Sequence, residues 1–225
     1  MRLRQRIRRL GVGAWSGWPA EVYQRPRFQQ RLRAVQEQLS ESLNSTPAGP
    51  LRIISMCAGD GRDVIDVLSS HPRRHDVKAC LVELDRKSVE AGIQSAKRAG
   101  LEGCVSFLNE DATDFVTYQQ IAPADIVLVC GVWGHVPVEE RARLVHALGM
   151  LCKPGGVAIW TCGVLKNLAR SQEIRSQFYS QGWEEICFTL TPEKTWVVAT
   201  HRYVGPAIGL PVSGRLFRFQ RGIGR

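Results

Sequence analysis

Apolar residues follow two rhythms along this chain. Over residues 17–43, Val22, Phe28, Leu32, Val35, Leu39 and Leu43 recur near a 3.6-residue period, which predicts a helical region. Pro19 suits a first helical turn, and Pro26 breaks or restarts the helix. The stretch 44–50 (NSTPAGP) is rich in turn residues and reads as a linker. From Leu51 onward short apolar runs alternate with longer amphipathic ones. Strands are predicted at 51–56, 79–84, 105–108, 125–130 and 157–162. Helices are predicted at 63–68, 86–98, 138–151 and 171–180, with Gly100 and Gly182 ending the second and the last. Two further strand-like runs, 185–190 and 195–203, are joined by a short polar connection containing Pro192.

Strands alternating with helices imply an α/β fold, a mostly parallel sheet with helices on both faces. The right-handed crossover rule limits it to a doubly wound topology. The two closing runs form a hairpin, so the last of seven strands is expected to run antiparallel to the rest. Residues 216–219 (LFRF) alternate like an edge strand or a tail lying along the body. The expected organisation is a basic N-terminal arm and helical cap over 1–49, a main domain over 50–205, and a basic tail or edge strand over 206–225.

Charge sharpens this division. The chain carries 30 basic and 21 acidic residues, a net +9. Residues 1–35 hold nine Arg against Glu21, and residues 202–225 hold five Arg and no acid, so the middle is net negative at −4. The basic ends suit an acidic partner such as RNA or a lipid surface, or serve as solubilising arms. No run of about 18 apolar residues is present to span a membrane. The seven cysteines include no C-x-x-C pair and several lie in apolar runs, which reads as buried free thiols in a reducing cytoplasm rather than disulfides or zinc. No His, Asp and Glu cluster has metal-ligand spacing.

Five segments carry candidate chemistry. The first strand leads into Ser55-Met56-Cys57-Ala58-Gly59-Asp60-Gly61-Arg62-Asp63, a glycine turn that opens a helix and brings backbone N–H groups to a ligand's polar edge. The second strand ends at Glu83 and Asp85, 24 residues after Gly61. A carboxylate there grips a ribose diol, caps the following helix, or does both. Glu83 points the same way and is the weaker ribose candidate. Asn109 to Asp114 places acids after strand three, where one accepts a hydrogen bond from an adenine amino group or belongs to an ordinary polar turn. The fourth strand runs into Gly131-Val132-Trp133-Gly134-His135, and Leu151-Cys152-Lys153-Pro154-Gly155-Gly156 precedes the fifth.

Taken together, over roughly residues 50–165, these segments resemble the ordered motifs of class I S-adenosyl-L-methionine (SAM)-dependent methyltransferases, with their Rossmann-like fold. The resemblance implies SAM as cofactor. It puts Cys57, Ala58, Gly59, Asp60, Gly61 and Asp63 around its amino-acid part, Glu83 and Asp85 at the ribose, Asp111 and Ala112 at the adenine, and Cys130 at the end of strand four. The loop departs from the acid-x-G-x-G-x-G form: Ser55 stands where the acid belongs and Cys57 replaces the first glycine, leaving Asp60, Asp63 or backbone carbonyls to meet the methionine amino group.

Methyl transfer from a sulfonium is an in-line displacement in which the protein supplies proximity and orientation. The loop after strand four then faces the acceptor. Trp133 is a candidate pocket wall or core residue, and His135 a candidate general base or a residue packed near the adjoining helix. The function expected is methylation of a small-molecule acceptor by a cytoplasmic enzyme. Two alternatives are an RNA methyltransferase holding phosphates with its Arg-rich termini and a non-catalytic SAM-binding scaffold. A nicotinamide dehydrogenase is disfavoured by the missing G-x-G-x-x-G and by the closing hairpin.

Overall fold

A computed structural model of the chain describes residues 24–164 and 168–220. The expected basic arm before residue 24 lies outside them. Seven strands form one sheet in the order β3-β2-β1-β4-β5-β7-β6. They are β1 (Leu51–Met56), β2 (Val77–Val82), β3 (Val105–Leu108), β4 (Ala124–Cys130), β5 (Cys152–Gly163), β6 (Trp183–Leu190) and β7 (Trp196–Tyr203). All pairings from β3 through β5 are parallel. β7 lies antiparallel between β5 and β6, so six strands point one way and β7 alone runs against them.

The helices are α1 (Pro26–Ser45), α2 (Arg62–Ser70), α3 (Arg86–Arg98), α4 (Val138–Leu151) and α5 (Leu168–Ser180). They divide between the two faces because strand residues alternate. Leu51, Ile53, Ala79, Leu81, Ile126 and Leu128 point to one face, where α1, α2 and α3 supply Val35, Leu39, Ile65 and Ala96. Ile54, Met56, Val127, Val129, Ala158 and Trp160 point to the other, where α4 and α5 supply Leu144, Leu148, Ile174 and Phe178. No helix among the described residues is long and apolar enough to cross a membrane.

Pro26 occupies the first turn of α1, where its missing N–H costs nothing, so it starts the helix. This helix packs on the face it shares with α2 and α3, over β5 and β7. Gln38 accepts the Thr200 hydroxyl of β7 at 2.9 Å, and Phe28 meets Trp196 at 5.7 Å between ring centroids.

Three local expectations shift. β2 runs from Val77 to Val82, two residues earlier than expected at each end, and beyond it the Asp85 N–H turns to the Glu83 side chain instead of a neighbouring strand. β5 begins at Cys152 and continues through the expected turn at Pro154-Gly155-Gly156. A bulge between Ala124 and Ile126 absorbs the extra residues. Gly156 is required there, because a Cβ would meet Asp125 O and Cys152 Sγ at 2.8 Å. The 216–219 run is a tail and not an edge strand. It joins the core through fully buried Leu216 and Phe217, after a single bridge between Arg215 and Asp114.

Candidate functional site

The strand order reverses between β1 and β4, and the crevice outside the carboxyl ends of parallel strands at such a reversal is where ligands bind in doubly wound sheets. The loops after β1 and β4 border that crevice. After β1 the backbone turns through Cys57 at φ +52°, Gly59 at +59° and Gly61 at +70°. Gly61 has no alternative, since its Cβ would fall 2.3 Å from Leu81 and 2.9 Å from Phe107. Gly59 faces open space, with nothing within 4 Å of a Cβ.

This loop is tied to the tip of β2. Glu83 Oε2 accepts the Gly59 N–H and Oε1 accepts the Asp85 N–H, both at 2.8 Å. The Ala58 N–H donates to the Val82 carbonyl at 3.0 Å. Glu83 is thus a brace, with both oxygens already engaged. Asp85 caps α3: its Oδ2 accepts from the Ser88 N–H at 3.1 Å and the Ser88 hydroxyl at 2.8 Å. Asn109 closes the edge of the site by donating to the carbonyls of Glu83 and Leu84 at 3.0 and 2.9 Å. Asp60 is engaged with Arg62 beside the loop.

Asp111 lies after β3, where Oδ1 accepts from the Thr113 N–H and hydroxyl at 2.9 and 2.8 Å, and Oδ2 meets Arg215 of the tail at 3.3 Å. Ala112 is buried and its carbonyl accepts the Tyr118 hydroxyl at 2.9 Å. Cys57 lies within the field of both Glu83 and Asp111. Burial, reinforced by these carboxylates, pushes its thiol far up, so it stays neutral and acts as a small apolar surface.

On the other side of the crevice, Thr161 accepts the Gly131 N–H at 2.9 Å and fixes the turn after β4. Cys130 stands at the end of that strand, its thiol pushed up to about 12 by burial and then by the charge of Asp63. Asp63, in the first turn of α2, is half-buried. Desolvation raises its carboxyl to about 6, against the lowering effect of the Val64 N–H and the charge of Arg31. Arg31 was not apparent from sequence. The only signal it offered was an arginine three residues after Phe28 and four before Val35, on the buried side of α1.

Of the two roles expected for Trp133, pocket wall or core, its burial favours the second. It has no exposed surface and packs edge-on against Trp160 and Phe178 at 6.0 and 6.1 Å, so it is core and not an open pocket wall. His135 is half-buried two residues on. Burial, and then the charge of Arg170, hold its imidazole below the ordinary histidine value. All seven cysteines are free. Among the described residues no group of three or more His, Cys, Asp or Glu is placed to hold a metal ion.

Comparison with known proteins agrees with this architecture. The chain is 26% identical over 113 residues to the uncharacterized protein YnbC of Escherichia coli K12, a match covering 49% of this chain and 19% of YnbC. It therefore spans about a fifth of that protein's length. Among solved structures it resembles the magnesium protoporphyrin IX methyltransferase ChlM of Synechocystis PCC 6803 with bound SAM, at TM-score 0.62 and 16% identity, covering 83% of this chain and 86% of ChlM. An O-methyltransferase family protein of Burkholderia thailandensis matches at TM-score 0.61 and 16% identity, over 80% of this chain and 58% of its own. At such identities these likenesses concern the fold. The family described as "Putative methyltransferase" matches residues 17–167, from the helical extension through all five strands of the parallel core, and the chain belongs to this methyltransferase family.

Proposed function

We propose that this chain binds SAM across the tips of β1 to β4 and directs its methyl group to a small-molecule acceptor. The observation that supports this most is the Gly59–Glu83 hydrogen bond, which holds an open glycine loop two residues from Asp85 at the reversal of the sheet. The residues fit such a ligand. Gly59 leaves space above the loop, and Asp85 keeps Oδ1 outside its capping interactions for a ribose hydroxyl. Cys57, Ala58, Gly59, Asp60 and Gly61 form the cradle, while Asp111 and Ala112 border the adenine end. Cys130 and Asp63 border the amino-acid end. When bound, SAM supplies a methyl group already activated on sulfonium sulfur.

The protein's part is to orient and to exclude water. His135, after β4, is the group we assign to take a proton from an acceptor hydroxyl where one must leave, its imidazole held below the ordinary histidine value by burial and then by Arg170. Membership of a methyltransferase family and kinship in fold with an O-methyltransferase family protein favour a small acceptor.

Calorimetric titration with SAM and S-adenosylhomocysteine, with NADH as control, tests the reading on the wild type and on Asp85→Asn. Asparagine preserves the helix cap and removes the charged acceptor. Micromolar binding, absent for NADH and weakened in the variant, is expected. No binding of either ligand to folded protein would overturn the proposal. Binding without turnover on any acceptor would favour a scaffold.

A further inference from the structure

We infer that Arg31 and Asp63 form a two-ended clamp for the zwitterionic amino-acid end of the cofactor, Arg31 taking the carboxylate and Asp63 the ammonium. The inference rests on the SAM reading above and deepens it. It answers a specific deficit: Ser55 stands where an acid is expected on β1, and it is 2% exposed inside the sheet. The charge for an ammonium group must come from elsewhere.

Arg31 reaches the site from α1. Its Nη1 lies 3.2 Å from the position a Cβ would take at Gly131, directly after β4. The guanidinium therefore stands against the backbone at the crevice, and a glycine there makes room for it. It lies over the Trp196 ring at 5.0 Å and near Phe28 at 5.8 Å, rings that fix its position. Its Nε is buried and has no hydrogen-bond partner. A partly buried guanidinium held in this way is suited to an anion with two oxygens, which it meets through a planar fork.

Asp63 is the counterpart. One of its oxygens accepts the Val64 N–H at 2.9 Å. The charge of Arg31 lowers its carboxyl, yet the two side chains form neither an ion pair nor a hydrogen bond, and the Arg31 Nε–H stays without a partner. Cys130 feels both. A group carrying an anion and a cation on one carbon satisfies both partners at once, which an acceptor with a single charge does not.

The test uses three ligands on the full chain by calorimetry: S-adenosylhomocysteine, its decarboxylated analogue, and 5′-methylthioadenosine, which lacks both charges. Arg31→Met is expected to weaken S-adenosylhomocysteine roughly 10- to 100-fold, as for loss of a charge-assisted pair, and to leave the other two nearly unchanged. Arg31→Lys should fall between. Asp63→Asn should weaken the first two ligands and spare methylthioadenosine. Equal weakening of all three by Arg31→Met, or none, would overturn the clamp while leaving SAM binding intact. Failure of the wild type to bind any of the three would remove the SAM reading and the clamp together. Circular dichroism of each variant separates a lost contact from a lost fold.

Discussion

Glu83 Oε2 accepts the Gly59 N–H at 2.8 Å, and through this bond the tip of β2 sets the shape of the loop after β1. The same carboxylate holds the Asp85 N–H, so one side chain aligns two candidate binding segments. Glu83→Ala leaves both amides without their acceptor. Such losses cost about 1–3 kcal/mol in a protein interior, and the loop sits at the lower end because it is only partly buried. Urea denaturation should show a fall of this size, with a larger relative loss of S-adenosylhomocysteine affinity. Glu83→Gln keeps one acceptor oxygen and should recover part of both. Unchanged affinity in Glu83→Ala would mean that the loop holds its shape unaided.

The two loop glycines should respond differently to a methyl group. Both have positive φ, which costs an L residue about 1–2 kcal/mol. At Gly59 that is the whole effect on stability, because the space is open. At Gly61 the Cβ meets Leu81 and Phe107, and overpacking adds about 1–3 kcal/mol. Gly61→Ala should therefore lower the melting temperature more than Gly59→Ala. Gly59→Ala should show its main effect in ligand binding. Equal melting temperatures would contradict the close packing of Gly61 against Leu81 and Phe107.

Much of this was legible in the chain because local signals agreed with one another. β1, β3, α3 and α4 fall at the expected residues: each is an apolar run or stripe, with Pro50 before β1, Asp85 before α3 and Pro137 before α4. Asp85 was legible as a cap and as a site residue, since both roles need the same carboxylate at a strand tip. What was hidden depends on tertiary contact. The Pro154-Gly155-Gly156 segment reads as a turn, but pairing of Cys152 with Ala124 draws it into β5. Trp133 lies in a glycine-flanked loop, between Gly131 and Gly134, and only the Trp160 and Phe178 rings show that it is core. Arg31 is one arginine among many near the N-terminus. Nothing in a linear pattern tells which of them overlies the end of β4.

The tail offers a separate test of organisation. Leu216 and Phe217 have no exposed surface, and the Leu216 N–H donates to the Thr113 carbonyl at 2.8 Å. Phe217→Ala should cost about 3–5 kcal/mol, as for other large-to-small core substitutions. Arg215 is one-third exposed, and its link to Asp111 is a partly solvated ion pair. Arg215→Ala should cost at most about 1 kcal/mol. A melting temperature for Phe217→Ala close to the wild type would mean that the tail is an accessory.

Asp63 and His201 should pull stability in opposite directions as pH falls. His201 is buried, stacked 4.5 Å from Phe178, with Nδ1 accepting from Trp160 Nε1 at 3.2 Å. Burial lowers it to about 4, opposed by Glu185 and assisted by Arg175, from an ordinary value of 6.5. The unfolded chain thus takes up this proton first. The stability His201 contributes is complete above pH 6.5 and is lost as pH falls through 4. Asp63 is raised from 3.8 to about 6, so the folded state takes up its proton first. Its contribution is complete below pH 3.8 and is lost as pH rises through 6. Each shift amounts to about 3 kcal/mol, and between pH 4 and 6 the two nearly cancel. Asp63→Asn removes one side of this balance. Relative to wild type, the variant should be more stable by roughly 2–3 kcal/mol at pH 7, and the difference should shrink towards zero at pH 4. Urea denaturation at the two pH values gives the comparison, because groups shared by both proteins drop out. A difference that did not change with pH would show that Asp63 is ionised as readily in the folded protein as in the unfolded chain.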